Sequence, residues 1–163
     1  MRIGVIGTGA MGTILARHLA RLGHDVSIAN SRGPASLAAL ATETGATAAT
    51  VAESVRGADV VILAIPTKAV PQLPRGLFPD LPAHVVVVDI GNYHPELRDG
   101  RIEAIDGGLL DSQWVWQQIG RPVIKAFNNV FAASLREKGK PRGATGRVAL
   151  SVCGDPAEAR AVV

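Results

Sequence analysis

The sequence predicts an α/β protein built on a doubly wound parallel sheet, with residues 1–163 forming one domain. Three observations carry that expectation. Short apolar runs alternate with helix-period segments from the first residues onward, the pattern of βαβ crossovers in an open sheet. The runs are continuous in Val, Ile and Leu, as parallel strands covered on both faces require. A glycine-rich turn, Gly7-x-Gly9-x-x-Gly12, joins the first run directly to the first helical segment.

Each element follows from local pattern. Residues 3–6 read as a buried strand. Residues 11–22 place Met11, Ile14, Leu15, Leu19 and Leu22 on one helical face, and Gly23 stops the helix. Residues 26–29 form a second strand. Residues 34–44 read as a helix with Leu37, Leu40 and Ala41 inward, followed by a short strand near 46–49. Thr50-Val51-Ala52-Glu53 is a capping-box pattern that opens a short helix to Arg56. Residues 60–65, 85–90, 123–127 and 148–152 are the later strands, and the Pro-rich stretch 71–82 is a surface connection. Asp155-Pro156 starts a last helix over 157–163, which stops without a cap; the expectation is a natural protein that continues beyond it.

Composition narrows the function classes. At 47% hydrophobic and 19% charged, the chain is neither a disordered tail nor a membrane protein. No apolar run approaches the roughly 20 residues that span a bilayer. Met1-Arg2 leads straight into a strand, without a signal-peptide layout. The single cysteine, Cys153, excludes an internal disulfide and fits a cytoplasmic setting; set in an apolar strand, it is expected to be buried. The four histidines are scattered without ligand spacing, so no metal site is expected. The net charge of +3 is dispersed and aromatics are 4%, which gives no nucleic-acid footprint. A mild positive excess suits a small polyanionic ligand.

The glycine turn identifies that ligand. Gly7 makes the tight turn, Gly9 lets backbone approach a pyrophosphate, and Gly12 lets helix and strand pack closely. Thr8, Ala10 and Met11 complete the turn, whose free amides and helix dipole favour phosphates. Dinucleotide sites that take NAD place an acid about 20 residues further on, where it binds the ribose 2′-hydroxyl. Here the position carries Asn30, 18 residues after Gly12, followed by Ser31 and Arg32. An amide, a hydroxyl and a guanidinium build a pocket for a 2′-phosphate, so the expected cofactor is NADP(H) on a Rossmann sheet. The loops after later strands should surround the nicotinamide: Ala64-Ile65-Pro66-Thr67, Gly91-Asn92-Tyr93-His94 and Ala126-Phe127-Asn128-Asn129.

Taken together, MRIGVIGTGAMG, NSR, VVILAIPTKAV and RPVIKAFNNVFAASL resemble the NADP-binding domain of the F420-dependent NADP oxidoreductases, with a plan similar to the oxidoreductase domain of the STEAP ferric reductases. The resemblance covers essentially the whole chain. It implies that Thr8 to Gly12 hold the pyrophosphate and that Ser31 with Arg32 hold the 2′-phosphate. It also implies that Ile65, Pro66 and Val70 lie under the nicotinamide and its ribose, and that Ala126 to Asn128 sit near the hydride acceptor. That acceptor would be coenzyme F420 or a flavin.

Hydride transfer between two flat rings needs orientation more than an acid or base, so the lack of an obvious dyad fits. A carbonyl or imine reductase would instead need a proton donor, for which Tyr93 and His94 are the loop candidates and Lys125 a weaker one. A non-catalytic NADPH-binding regulator is the third alternative. Trp114 and Trp116, two residues apart, cannot share a helical face. One is expected to pack inward and the other to reach the surface, at a homodimer interface or beside a small-molecule acceptor.

Overall fold

Successive residues of the central strands face opposite sides of the sheet, and both sides are apolar. Ile3, Val5, Val60, Ile62, Val86 and Val88 belong to one core; Val61, Leu63, Val85 and Val87 belong to the other. The computed structural model describes residues 1–163. Its strands are β1 (Arg2–Ile6), β2 (Asp25–Ala29), β3 (Thr47–Ala48), β4 (Val60–Leu63), β5 (Val86–Asp89), β6 (Ile124–Ala126) and β7 (Val152–Cys153). They form one sheet in the order β3-β2-β1-β4-β5-β6-β7. The first six pair in parallel, with Ile6 opposite both Ala29 and Leu63.

Helices cover both faces. On the first lie α1 (Ala10–Arg21), α2 (Ala38–Thr44), α6 (Ala132–Glu137) and α7 (Ala157–Val162), contributing Leu15, Leu40, Leu135 and Ala159. On the second lie α3 (Val51–Val55), α4 (Glu103–Asp106) and α5 (Asp111–Ile119), contributing Val55, Ile105, Trp114 and Ile119. The doubly wound fold is as the sequence predicts. No helix is long and apolar enough to cross a membrane. The Thr50–Glu53 capping box forms in full, with the Thr50 hydroxyl accepting from the Glu53 amide and the Glu53 carboxylate accepting from the Thr50 amide.

Three features differ from expectation. The helix over 34–44 is divided, with a 3-10 turn at Pro34–Leu37 before α2. The strand over 148–152 shrinks to β7, which runs antiparallel to β6. Residues 138–151, between α6 and β7, form no regular element, so most of the expected strand lies in this connection. Val148 and Leu150 are consequently exposed. Cys153 is exposed rather than buried, because β7 is the edge strand and pairs Cys153 with the half-buried Lys125. The tryptophans divide as expected, Trp114 inward and Trp116 at the surface.

The Pro-rich connection is held by one side chain. The Arg121 guanidinium donates to the carbonyls of Leu81 (2.7 Å), Pro82 (2.7 Å) and Val85 (2.9 Å), with longer bonds to Phe78 and Ala83. Burial alone lowers its basicity. Arg121→Met should strand these carbonyls and cost about 2 kcal/mol. Urea unfolding should show that as a lower midpoint at an unchanged slope.

Candidate functional site

The sheet order reverses between β1 and β4, and this switch point is where such sheets bind ligands. The glycine turn follows β1 on one side, and Ala64-Ile65-Pro66 follows β4 on the other. Gly7 holds a φ of +106°, a left-handed conformation that a side chain would strain. A Cβ on Gly12 would lie 2.0 Å from the Gly7 carbonyl oxygen, so α1 starts directly against the turn. At Gly9 the opposite holds. A Cβ there meets nothing within 4 Å, and the residue is exposed at the N-terminus of α1. The turn therefore packs tightly at both ends and is open in the middle, the cradle a pyrophosphate requires.

Beyond the turn, the end of β2 is a hydrogen-bonded corner. The Asn30 amide nitrogen donates to Thr8 Oγ1 (3.4 Å) and Ser36 Oγ (3.1 Å), while Asn30 Oδ1 accepts from the Arg32 amide (2.8 Å). Ser36 also donates to the Gly33 carbonyl at 2.7 Å. Ser31 and Arg32 are exposed, and the Arg32 guanidinium makes no hydrogen bond or ion pair within the protein. Asn30 thus shapes the corner and ties it to the glycine turn, leaving Ser31 and Arg32 open to solvent. Ser36 is not among the residues expected from the sequence; it sits within the 3-10 turn and reaches Asn30 from there.

A cleft of about 370 Å³ runs from the glycine turn to the ends of β5 and β6. Gly9, Ala10 and Met11 line one end, Ala64, Ile65 and Pro66 one wall, and Asn92 and Asn128 the far end. These last two join their loops: Asn92 Nδ2 donates to the Asn128 carbonyl at 2.8 Å, and Asn128 Nδ2 donates to Asn92 Oδ1 at 3.4 Å. Between them and β6, Phe127 adopts φ +60°, the only non-glycine residue with positive φ. Such strain costs on the order of 1–3 kcal/mol and clusters at ligand sites.

Two expected residues stand elsewhere. Val70 is buried in the second core with Phe78 and Trp114, because the 3-10 turn Thr67–Gln72 directs it inward, towards α5. Ala126 is buried in the first core beside Ile124, and its neighbour Phe127 reaches the cleft instead.

The proton-donor candidates separate. The Tyr93 hydroxyl donates to Asp106 Oδ1 (2.9 Å) and accepts from the Ile102 amide (2.7 Å), outside the cleft. Burial, with the Asp106 carboxylate, raises its pKa further. His94 does line the cleft. Lys125 is enclosed between Asp89 (2.7 Å) and Asp111 (2.9 Å). Burial pushes the Asp89 carboxyl up, only partly offset by Lys125 and by the Gly91 amide that Asp89 Oδ1 accepts at 2.9 Å.

The loop after β5 ends in a wide π-helical turn, Pro95–Asp99, closed by the Asp99 amide on the His94 carbonyl. The Asp99 side chain is fully enclosed and accepts from the His94 amide (2.9 Å), the Lys68 amide (3.3 Å) and the Arg98 guanidinium (3.0 Å). Burial alone would raise its pKa; the Arg98 bonds and the two amides outweigh burial and hold the carboxyl below its ordinary range.

Comparison with known proteins agrees with this geometry. No curated protein matches the chain. A hypothetical protein, SMa0349, from Sinorhizobium meliloti shares 31% identity and a TM-score of 0.79, over 99% of this chain and 78% of that one. A protein from Arthrobacter sp. FB24, provisionally named an F420-dependent NADP reductase, shares 23% identity with a TM-score of 0.72, over 99% and 77%. A reductive aminase from Aspergillus terreus, solved with NADPH4, cyclohexanone and allyl amine, shares the fold alone: 20% identity and a TM-score of 0.56, over 82% and 43%. The family model described as NADP oxidoreductase, coenzyme F420-dependent, matches residues 2–93, from β1 through the loop after β5. With more than half of its length in that match, the chain belongs to this family and is an NADP-dependent oxidoreductase.

Proposed function

We propose that the protein moves a hydride between NADPH and a deazaflavin or flavin-like ring. The observation that carries this reading is the continuous cleft, open at Gly9 and walled by apolar and amide groups as far as Asn128, with no acid–base pair along it. Two stacked rings need such a slot and little else from the protein. A bound nicotinamide would supply the hydride, and solvent would supply the proton that completes reduction of the acceptor.

The chain's own residues bind and orient. The amides of Thr8 to Gly12 and the start of α1 hold the pyrophosphate, and Asn30, Ser31 and Arg32 hold the 2′-phosphate. Ala64, Ile65 and Pro66 form the wall behind the nicotinamide. Asn92 and Asn128 fix the far end, and Ala126 and Val70 support the site from the core. A carbonyl or imine reductase remains as the second reading on one observation, that His94 lines the cleft.

The test mixes the protein with NADPH and coenzyme F420 without oxygen and follows the deazaflavin absorbance, with NADH as control. Bleaching with NADPH and not with NADH is the expected result. Turnover of cyclic imines that disappears in His94→Gln, with no bleaching of F420 or flavin, would install the second reading instead.

A further inference from the structure

Among the residues lining the cleft, Arg98 is the only one with a permanent charge, and no carboxylate reaches the lining. Its guanidinium is fixed in place. Nε and Nη2 bond to Asp99, and Nη2 also donates to the Asn92 carbonyl at 2.6 Å. Nη1 has no protein partner. The turn that carries it is anchored by the enclosed Asp99 carboxylate, and Lys68 Nζ donates to the Arg98 carbonyl. Of the charged residues in this turn, Glu96, Arg98 and Asp99, only Arg98 lines the cleft. An arginine held rigid on one edge with donors free on another is preorganised for an oxyanion, since little entropy is left to lose.

We propose that Arg98 is a specificity-determining residue on the acceptor side, which selects ring acceptors bearing a phosphate or carboxylate. The inference rests on the reading of the cleft as the hydride-transfer slot and adds which acceptors that slot prefers. An iminium substrate would meet the same charge as repulsion, so the proposal also separates the two readings above. The oxyanion that Arg98 holds belongs to the acceptor, since the amides of Thr8 to Gly12 take the cofactor's pyrophosphate.

The experiment measures binding to full-length protein saturated with NADP⁺, using two ring pairs: coenzyme F420 against its phosphate-free ring fragment, and FMN against riboflavin. The phosphate-bearing member of at least one pair should bind about tenfold tighter, the gain of one charge-assisted contact. Arg98→Gln should reduce that ratio to near one, and Arg98→Lys should keep part of it. The affinity for NADP⁺ itself should change less than twofold. In the unaltered protein, inorganic phosphate at fixed ionic strength should displace the phosphate-bearing ring and leave the neutral one bound, which tests the site even if the variants fold poorly. The proposal is overturned if neither pair is discriminated, if phosphate displaces both members equally, or if Arg98→Gln weakens NADP⁺ instead. Loss of the cofactor reading would register separately, as failure to prefer NADP⁺ over NAD⁺.

Discussion

Gly12→Ala will cost the protein both stability and cofactor binding, whereas Gly9→Ala will cost binding alone. At Gly12 the new methyl would stand 2.0 Å from the Gly7 carbonyl oxygen and 3.1 Å from the Ala64 methyl. Both the first neighbour and the turn that carries it are backbone, so the conflict is relieved only by lifting the start of α1 from the sheet. That loosens Ile14, Leu15 and Ala16, which α1 buries. Overpacking of this kind costs about 3 kcal/mol, at the upper end of the usual range because no flexible side chain can yield. Gly9 already has φ −72°, which alanine adopts freely, and its methyl would point into open space. Stability should then stay within about 0.5 kcal/mol of the parent, while the methyl occupies the cradle and weakens NADPH by tenfold or more. Denaturant unfolding and equilibrium titration of both variants check the pair. Equal stability loss at both positions would show that the turn is merely structural.

Asn30→Asp should reverse the cofactor preference. The substitution keeps the oxygen that accepts from the Arg32 amide, so the corner retains its shape. It removes the two donated bonds to Thr8 and Ser36 and puts a carboxylate where a 2′-phosphate would lie. Repulsion and the loss of a charge-assisted site together are worth about 2–3 kcal/mol, a factor of roughly 30 to 150 in NADPH affinity. NADH should gain, because a carboxylate accepts from the free ribose hydroxyls. Titration of both nucleotides gives the ratio directly. An unchanged preference would place the discrimination elsewhere than this corner.

The parts of the fold and site that were legible in the sequence are those dictated by neighbours along the chain. The continuous Val and Ile runs of β1, β4 and β5 declared a sheet covered on both faces, and the glycine spacing placed the turn between β1 and α1. The Thr50 capping box was readable because both of its bonds lie within four residues. Contacts between distant segments were not. Nothing local tells that Asn92 will meet Asn128, that Tyr93 will be claimed by Asp106, or that Lys125 will lie between two carboxylates. Nor does the sequence mark Arg98, which the π-helical turn sets against Asp99. The apolar letters of 148–152 misled because only Val152 joins the sheet, at its edge, while Val148 and Leu150 stay in water.

The unequal pairing of the sheet also divides its resistance to local opening. β1 is bonded along its length to β2 and β4, whereas β7 holds two residues on one side of β6 and nothing on the other. Fluctuations that expose backbone amides to solvent should therefore begin at the two-residue edge strands, β3 and β7, and fade toward β1. The Gly7 amide, bonded to the Ala29 carbonyl at 2.8 Å, and the Ala64 amide, bonded to the Ile6 carbonyl at 2.8 Å, should be among the slowest to exchange with solvent. The nucleotide turn is thus set in the most persistent layer of the sheet, and the edge beyond β6 can open and close without disturbing it.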